Sequence, residues 1–187
     1  MLNEAAPEGK ELKYARPELE RRFLFSALPV GRAIRVARIE DRYLLGTRIR
    51  LRKATERADV DGEVNRIVYK LTQKVPGPGG IPGLITTMYL DRAEYDVLAR
   101  LPARSLRKTR LSIPPLGVDL FEDALHGLVL GEAEFADDES MTRFCRPAHA
   151  VAEVTSDPRL TGGQLIRTTR SELVAVLAEY GVAGLAR

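Results

Sequence analysis

The sequence has no tryptophan, one cysteine, two histidines and few aromatic residues of any kind, 6% of 187. Each shortage excludes something. A lone thiol, Cys145, closes no internal disulfide, and with only His126 and His149 as imidazole companions it builds no zinc site. So few aromatics make a poor stacking platform for single-stranded nucleic acid. No apolar run approaches the ~20 residues that span a bilayer as a helix. Residues Met1-Leu2-Asn3-Glu4 lack the basic segment and apolar stretch of a secretory signal, so the expected location is cytoplasmic, with no membrane partner.

What is present is ordinary in amount. Hydrophobic residues make up 44% and charged residues 29%, enough apolar surface to offset the entropy of ordering a chain. The net charge of +3 is too small to call for a specific nucleic acid. Residues 1–15 are polar and read as a flexible N-terminal arm, leaving 16–187 as a single domain. The run Val75-Pro76-Gly77-Pro78-Gly79-Gly80-Ile81-Pro82-Gly83 is too rich in Pro and Gly for a regular element and reads as a long hairpin loop. It lacks the Lys-Ser/Thr pair of a phosphate-binding P-loop.

Alternation of side-chain type predicts strands at 18–25, 34–44, 46–53, 66–75, 84–90, 105–112, 117–121, 127–135 and 149–155. Helices are expected over 91–101, where Asp91 and Glu94 have capping-box spacing, over 138–145, and over 170–180. The last of these lines up Leu173, Val176, Leu177 and Tyr180, with Gly181 as its stop. Closely spaced strands with few helices between them favour an antiparallel barrel or sandwich over a doubly wound parallel sheet.

Charge has the same two-residue period. Residues i and i+2 of a strand project to one side, ~6–7 Å apart. Glu18, Glu20 and Arg22 share a face, as do Arg48, Arg50 and Arg52; Lys70, Thr72 and Lys74; Lys108 and Arg110; and Glu132 and Glu134. Any one such row is ordinary for the solvated side of a sheet. Several in one format, with like charges on neighbouring strands, call for something to neutralise them, and a bound polyanion does so. Carboxylates are hard oxygen ligands suited to Mg²⁺ or Mn²⁺, and guanidinium and ammonium groups grip phosphate oxygens. The residues therefore point to a pocket for a phosphate chain with a divalent metal.

The stretch Pro17-Glu18-Leu19-Glu20-Arg21-Arg22-Phe23-Leu24 resembles the N-terminal Glu-x-Glu-x-Lys signature of the CYTH, or triphosphate tunnel metalloenzyme, superfamily. Further segments follow in that family's order. They are Asp41-Arg42-Tyr43-Leu44 with Thr47-Arg48-Ile49-Arg50-Leu51-Arg52, Leu71-Thr72-Gln73-Lys74, Leu106-Arg107-Lys108-Thr109-Arg110, Val118-Asp119-Leu120-Phe121, Gly127-Leu128-Val129-Leu130-Gly131-Glu132-Ala133-Glu134-Phe135 and Glu153-Val154-Thr155-Ser156-Asp157-Pro158-Arg159. The resemblance spans residues 17 to about 170. It implies a mainly β (α+β) fold: a closed eight-stranded antiparallel β-barrel forming a tunnel, with a few flanking helices.

The resemblance further implies metal-dependent hydrolysis of inorganic triphosphate or a small organic triphosphate. Glu18, Glu20, Asp119, Glu132 and Glu134 stand as metal ligands for Mg²⁺ or Mn²⁺, and Glu20, Glu132 and Glu134 as the catalytic acids. Arg22, Arg48, Arg50, Lys70, Lys74, Lys108 and Arg110 stand as the phosphate clamp, with Arg159 near the tunnel mouth. Alternatives are a class IV-type adenylate cyclase and a non-catalytic polyphosphate- or nucleotide-binding tunnel; the assembly expected is a monomer or homodimer. Two departures stand out. Arg22 replaces the signature lysine, which keeps the charge and gives up a deprotonable amine. The strand Leu84-Ile85-Thr86-Thr87-Met88-Tyr89-Leu90 holds no acid where many members carry a Glu-x-Glu pair. Thr87 is the polar substitute there, and Met88 and Tyr89 are expected to pack the barrel wall. Cys145 is expected to pack a helix, and both histidines to lie in connectors.

Overall fold

The structure, a computed structural model, describes residues 13–57, 63–75, 77 and 83–182. Its strands are β1 (Arg16–Pro17), β2 (Glu20–Phe25), β3 (Arg35–Leu44), β4 (Ile49–Arg57), β5 (Val64–Val75), β6 (Leu84–Leu90), β7 (Ala103–Ile113), β8 (Leu116–Phe121), β9 (Val129–Glu134) and β10 (Ala152–Glu153). They form one ten-stranded sheet in the order β1-β6-β5-β4-β3-β7-β8-β9-β2-β10. Every pairing is antiparallel. The helices are α1 (Arg92–Leu98), α2 (Asp138–Arg143), α3 (Gly162–Leu165) and α4 (Arg170–Glu179), with 3₁₀ turns at Asp123–Leu125 and Pro158–Leu160.

The mainly β antiparallel class is as expected, but the closed eight-stranded ring is not. The ladder has ten strands, and its ends, β1 and β10, are not hydrogen-bonded to each other. The chain itself draws the two regions together. Pro17 pairs with Leu84 of β6, while Glu20 pairs with Glu134 of β9. Between them the Glu18 N–H donates to the Gly83 carbonyl, and the Leu19 carbonyl accepts from the Phe135 N–H. Three residues reach at most about 11 Å, so the sheet must curl strongly to make both sets of bonds.

Element boundaries moved where turn chemistry decided them. The strand expected from 46 begins at 49, because residues 45–48 form the turn: Gly46 has a φ of 71°, and the Thr47 hydroxyl donates to the Leu44 carbonyl and accepts from the Ile49 N–H. Helix α1 has the reciprocal Asp91–Glu94 capping box, and α4 has a second one from Thr169 and Glu172. The expected strand at 149–155 shrinks to β10. Of the expected arm, only 13–15 are described. The expected loop over 75–83 lies outside the described residues except for Val75, Gly77 and Gly83. Cys145 falls outside α2 and is exposed, so it packs no helix.

Both faces of the sheet carry apolar side chains, which is why Phe23, Leu24 and Phe25 are consecutive and all buried. On one face Phe23, Phe25, Val36, Leu111, Ile113, Leu116, Val118, Val129 and Ala133 pack together, with Phe144 against them. On the other, Leu24, Leu106, Phe121 and Leu130 meet Leu160, Leu165, Leu173 and Leu177. Leu173 and Leu177 are 0% and 1% exposed, so α4 covers one end of this inner face; burying each contributes about 1.5–3 kcal/mol.

Candidate active site

In an antiparallel ladder, directly opposed residues project to the same face. One rung runs Asp41–Arg52–Lys70–Tyr89 across β3, β4, β5 and β6. The next runs Tyr43–Arg50–Thr72–Thr87. On the other half of the sheet, Arg110 opposes Asp119, Glu132 opposes both Gly117 and Arg22, and Glu20 opposes Glu134. Ladder parity joins the two halves through β3 and β7, where Ile39 opposes Lys108 and Ala37 opposes Arg110. The charged rows read from the sequence therefore share one inner face.

On that face the charges interlock across strands. The Asp41 carboxylate, 1% exposed, accepts from Arg52 Nε at 2.6 Å and Nη2 at 2.8 Å, with Arg50 Nε at 3.8 Å. Burial by itself raises the Asp41 pKa, but Arg52 and Arg50 outweigh it and hold the carboxyl at about 2. Asp119, fully buried, takes the Lys108 ammonium at 2.5 Å and both ends of the Arg110 guanidinium at 2.7 and 2.6 Å. Arg110 also donates to Glu132. Burial pushes the Lys108 ammonium below its usual range, only partly offset by Asp119. Burial alone would raise Glu132, but Arg110, then Lys108 and Lys74, outweigh it and keep that carboxyl ionised.

Glu18 precedes β2 and pairs with Lys74 of β5 at 2.5 Å, joining strands that lie far apart in the sheet order. Beside it Glu20 is the unbalanced acid. Its nearest cation is Arg22 Nε at 3.6 Å. Burial, then repulsion from Glu132, pushes its pKa up to about 6. Arg22 is 7% exposed and donates to the backbone carbonyls of Leu160 at 2.8 Å and Thr155 at 2.7 Å. It thus ties the inner face to the turn before α3 and holds a fixed charge next to Glu20. Glu134, opposite Glu20, is exposed.

The remaining expected residues fall in three places. Arg50 and Lys70 lie on the inner face. Among the described residues the Arg50 Nε is buried with no hydrogen-bond acceptor, as are Arg22 Nε on the same face and Arg42 Nε on the other, and the Lys70 ammonium sits 5.1 Å from the Tyr89 ring centroid. Arg48 is exposed in the turn before β4, its carbonyl accepting from the Lys74 N–H. Arg159 lies elsewhere, chelated by Asp157 and reaching Glu179 of α4 at 2.9 Å on the surface. Thr87 bonds the buried Thr72 hydroxyl at 3.2 Å. Met88 and Tyr89, expected in the wall, are 53% and 70% exposed, because β1 covers β6 only at Leu84 and Ile85.

Asp41 and Arg52 were not among the residues singled out as site candidates, although both fall in the segments that carry the resemblance. The signal was there: a lone acid in register with a basic strand. Among the described residues, no three Asp, Glu, His or Cys side chains are gathered in a metal-holding group. Glu18 and Asp119 are each committed to a cation, and Glu132 takes the Arg110 guanidinium on one oxygen, Oε2. Glu20 and Glu132, which repel one another, are the pair that suits a divalent ion, and two carboxylates completed by phosphate oxygens and water are a usual Mg²⁺ donor set.

Two solved structures, both of a protein called NE1496, are similar to this chain. The first, described as a hypothetical protein, is 25% identical, with a TM-score of 0.51, covering 81% of this chain and 99% of that one. The second, described as an inorganic triphosphatase, is 23% identical, with a TM-score of 0.51, covering 81% of this chain and 95% of that one. The likeness is one of fold and supports the mainly β antiparallel class that the resemblance implies, not a closed ring. No family model and no curated protein sequence matches the chain. No helix among the described residues is long and apolar enough to cross a membrane.

Proposed function

We propose that the inner face binds a triphosphate and hydrolyses it with Mg²⁺ or Mn²⁺, inside a tunnel formed by the curled sheet. One observation carries the reading. Arg52 and Lys70 share one rung and Arg50 stands on the next, with Asp41 paired to Arg52 and Arg50; among the described residues this leaves the buried Arg50 Nε without an acceptor and Lys70 without a carboxylate. Buried donors normally have partners, and phosphate oxygens supply them. The fold likeness to NE1496, described as an inorganic triphosphatase, supports the same conclusion.

In this reading Arg50, Arg52, Lys70 and Lys74 hold the phosphate chain from β4 and β5, and Lys108 and Arg110 hold it from β7. Asp41 and Asp119 aim those cations and keep them charged. Glu20 and Glu132 are the residues that would hold the divalent ion, which would supply Lewis-acid stabilisation of charge on the phosphate oxygens. Glu134, exposed beside Glu20, accepts a hydrogen bond from the attacking water and orients it. The clamp stabilises charge moving to the leaving phosphate.

The test is to offer the protein inorganic triphosphate, ATP and thiamine triphosphate with Mg²⁺ or Mn²⁺, and to measure phosphate, pyrophosphate and cyclic AMP together. Phosphate release is expected. Glu20→Gln should remove turnover by at least ~100-fold, the scale of losing a principal charged group at a reacting centre, while calorimetry still shows triphosphate binding. Cyclic AMP with pyrophosphate would make the protein a cyclase. Tight binding without product would make it a receptor, the reading favoured by a β6 that lacks acids.

A further inference from the structure

The reverse side of β3 and β7 is also charged, with a different balance. Glu40 and Arg42 flank Asp41 in β3 and therefore project to the outer face. Across β7 they directly oppose Arg107 and Ser105. With Tyr95 and Ala99 at α1, and Asp123 beyond β8, these residues line a cavity of about 360 Å³, at the small end of ligand pockets. The Tyr95 ring is held in place by Tyr69 of β5, centroid to centroid 4.6 Å.

The polar groups of this cleft are unequally used. Arg107 and Asp123 satisfy one another through two bonds, at 2.8 and 2.5 Å. Among the described residues, Glu40 makes no hydrogen bond or ion pair, not even with Lys53 opposite it on β4. The Ser105 and Tyr95 hydroxyls make no hydrogen bond there either. The Arg42 Nε is buried without an acceptor, and its guanidinium has one long bond, from Nη2 to the Leu101 carbonyl at 3.3 Å. Burial, then the Glu40 charge, pushes the Tyr95 hydroxyl pKa up, and Arg42 pulls it part of the way back, so these three groups face a common space.

Two acids and two bases leave the lining without net charge. A phosphate chain would meet Glu40 and Asp123, and a divalent cation would meet Arg42 and Arg107, each a repulsion. A ligand carrying both signs meets neither objection. We infer that this cleft binds a small zwitterion, an α-amino acid, with its carboxylate on Arg42 and Ser105, its ammonium on Glu40 and the Tyr95 hydroxyl, and its side chain toward Ala99. Guanidinium–carboxylate and ammonium–carboxylate bonds are the strong class of hydrogen bond. The site lies across the sheet from the cationic inner face and rests on no part of the triphosphate reading.

The probes are the proteinogenic L-amino acids, offered as a mixture to the intact protein in saturation-transfer NMR, with calorimetry on those that respond. At least one should receive saturation. The matching amine and the matching carboxylic acid, each lacking one charged group, should bind at least ~10-fold more weakly, the scale of one charge-assisted bond. Arg42→Gln and Glu40→Gln should each weaken binding by a similar factor, with circular dichroism confirming the fold. Ala99→Leu changes no charge and should block binding by filling the cavity. Absence of saturation for every amino acid overturns the inference. So does binding that is unaltered in Arg42→Gln or in Ala99→Leu, or a fragment that binds as well as its parent.

Discussion

Replacing Asp41 by Asn takes away a buried charge while keeping the side chain's shape. Two cations then lose their nearest carboxylate: Arg52, 11% exposed and bonded to Asp41 through two nitrogens, and Arg50, 16% exposed. In the folded protein the Asp41 carboxyl titrates at about 2, against 3.8 for the free side chain. At about 1.4 kcal/mol per pH unit, that depression contributes about 2.5 kcal/mol at neutral pH. The loss from breaking a buried pair is of the same order or larger, about 3–5 kcal/mol. The pH dependence has a definite sign. As pH falls below about 4, the unfolded chain takes up the proton first, so the contribution is complete above that point and disappears as pH drops toward 2. Urea unfolding followed by circular dichroism, on the intact protein and Asp41→Asn at steps from pH 7 to pH 2.5, gives a difference curve that isolates this group. The variant should be less stable by at least ~2 kcal/mol at pH 7, and the gap should narrow on acidification. Equal midpoints at pH 7, or a gap that does not narrow, would refute the account of Asp41 as the anchor of Arg50 and Arg52.

Gly131→Ala should destabilise the protein by about 1–3 kcal/mol, because a Cβ there would come 2.6 Å from the Phe25 ring, which the surrounding core holds in place. Thermal unfolding reads this as a lowered Tm, and an unchanged Tm would mean that the outer face has room the packing does not show. Arg159→Ala should leave triphosphate turnover within about twofold and cost about 1 kcal/mol, since its partners are the largely covered Asp157 and the exposed Glu179, with no residue of the inner face among them. A large loss of turnover in that variant would return Arg159 to the site.

Much of the inner face was readable because strand periodicity is strict. Once Arg50 and Arg52, or Lys108 and Arg110, fall on β4 and β7, their common side is fixed. The capping spacing at Asp91 located α1 for the same reason: its signal is local. Asp41 was harder to rank, because one acid in a mixed stretch becomes informative only when its register against Arg52 is known. Arg159 fits the resemblance by charge and spacing, whereas the direction of its guanidinium is set by Asp157 and by Glu179 of α4, a tertiary fact. Tyr89 and Met88 were expected inside a wall, yet the partner strand β1 ends two residues into β6.

The short tie at Glu18 and Leu19 also bears on how the chain reaches its fold. β1 must find β6, and β2 must find β9 and β10, so the first strands pair with segments drawn from the middle and the end of the sequence. Such distant pairings make folding slow, because chain entropy is lost before the contacts that offset it are made. During synthesis the hairpins β3–β4 and β7–β8 can close as they emerge. Phe23, Leu24 and Phe25 have no partner until β9 and β10 have left the ribosome. The strand carrying Glu20 and Arg22 is thus among the last to be locked, and the acidic half of the site is assembled only when the whole domain is.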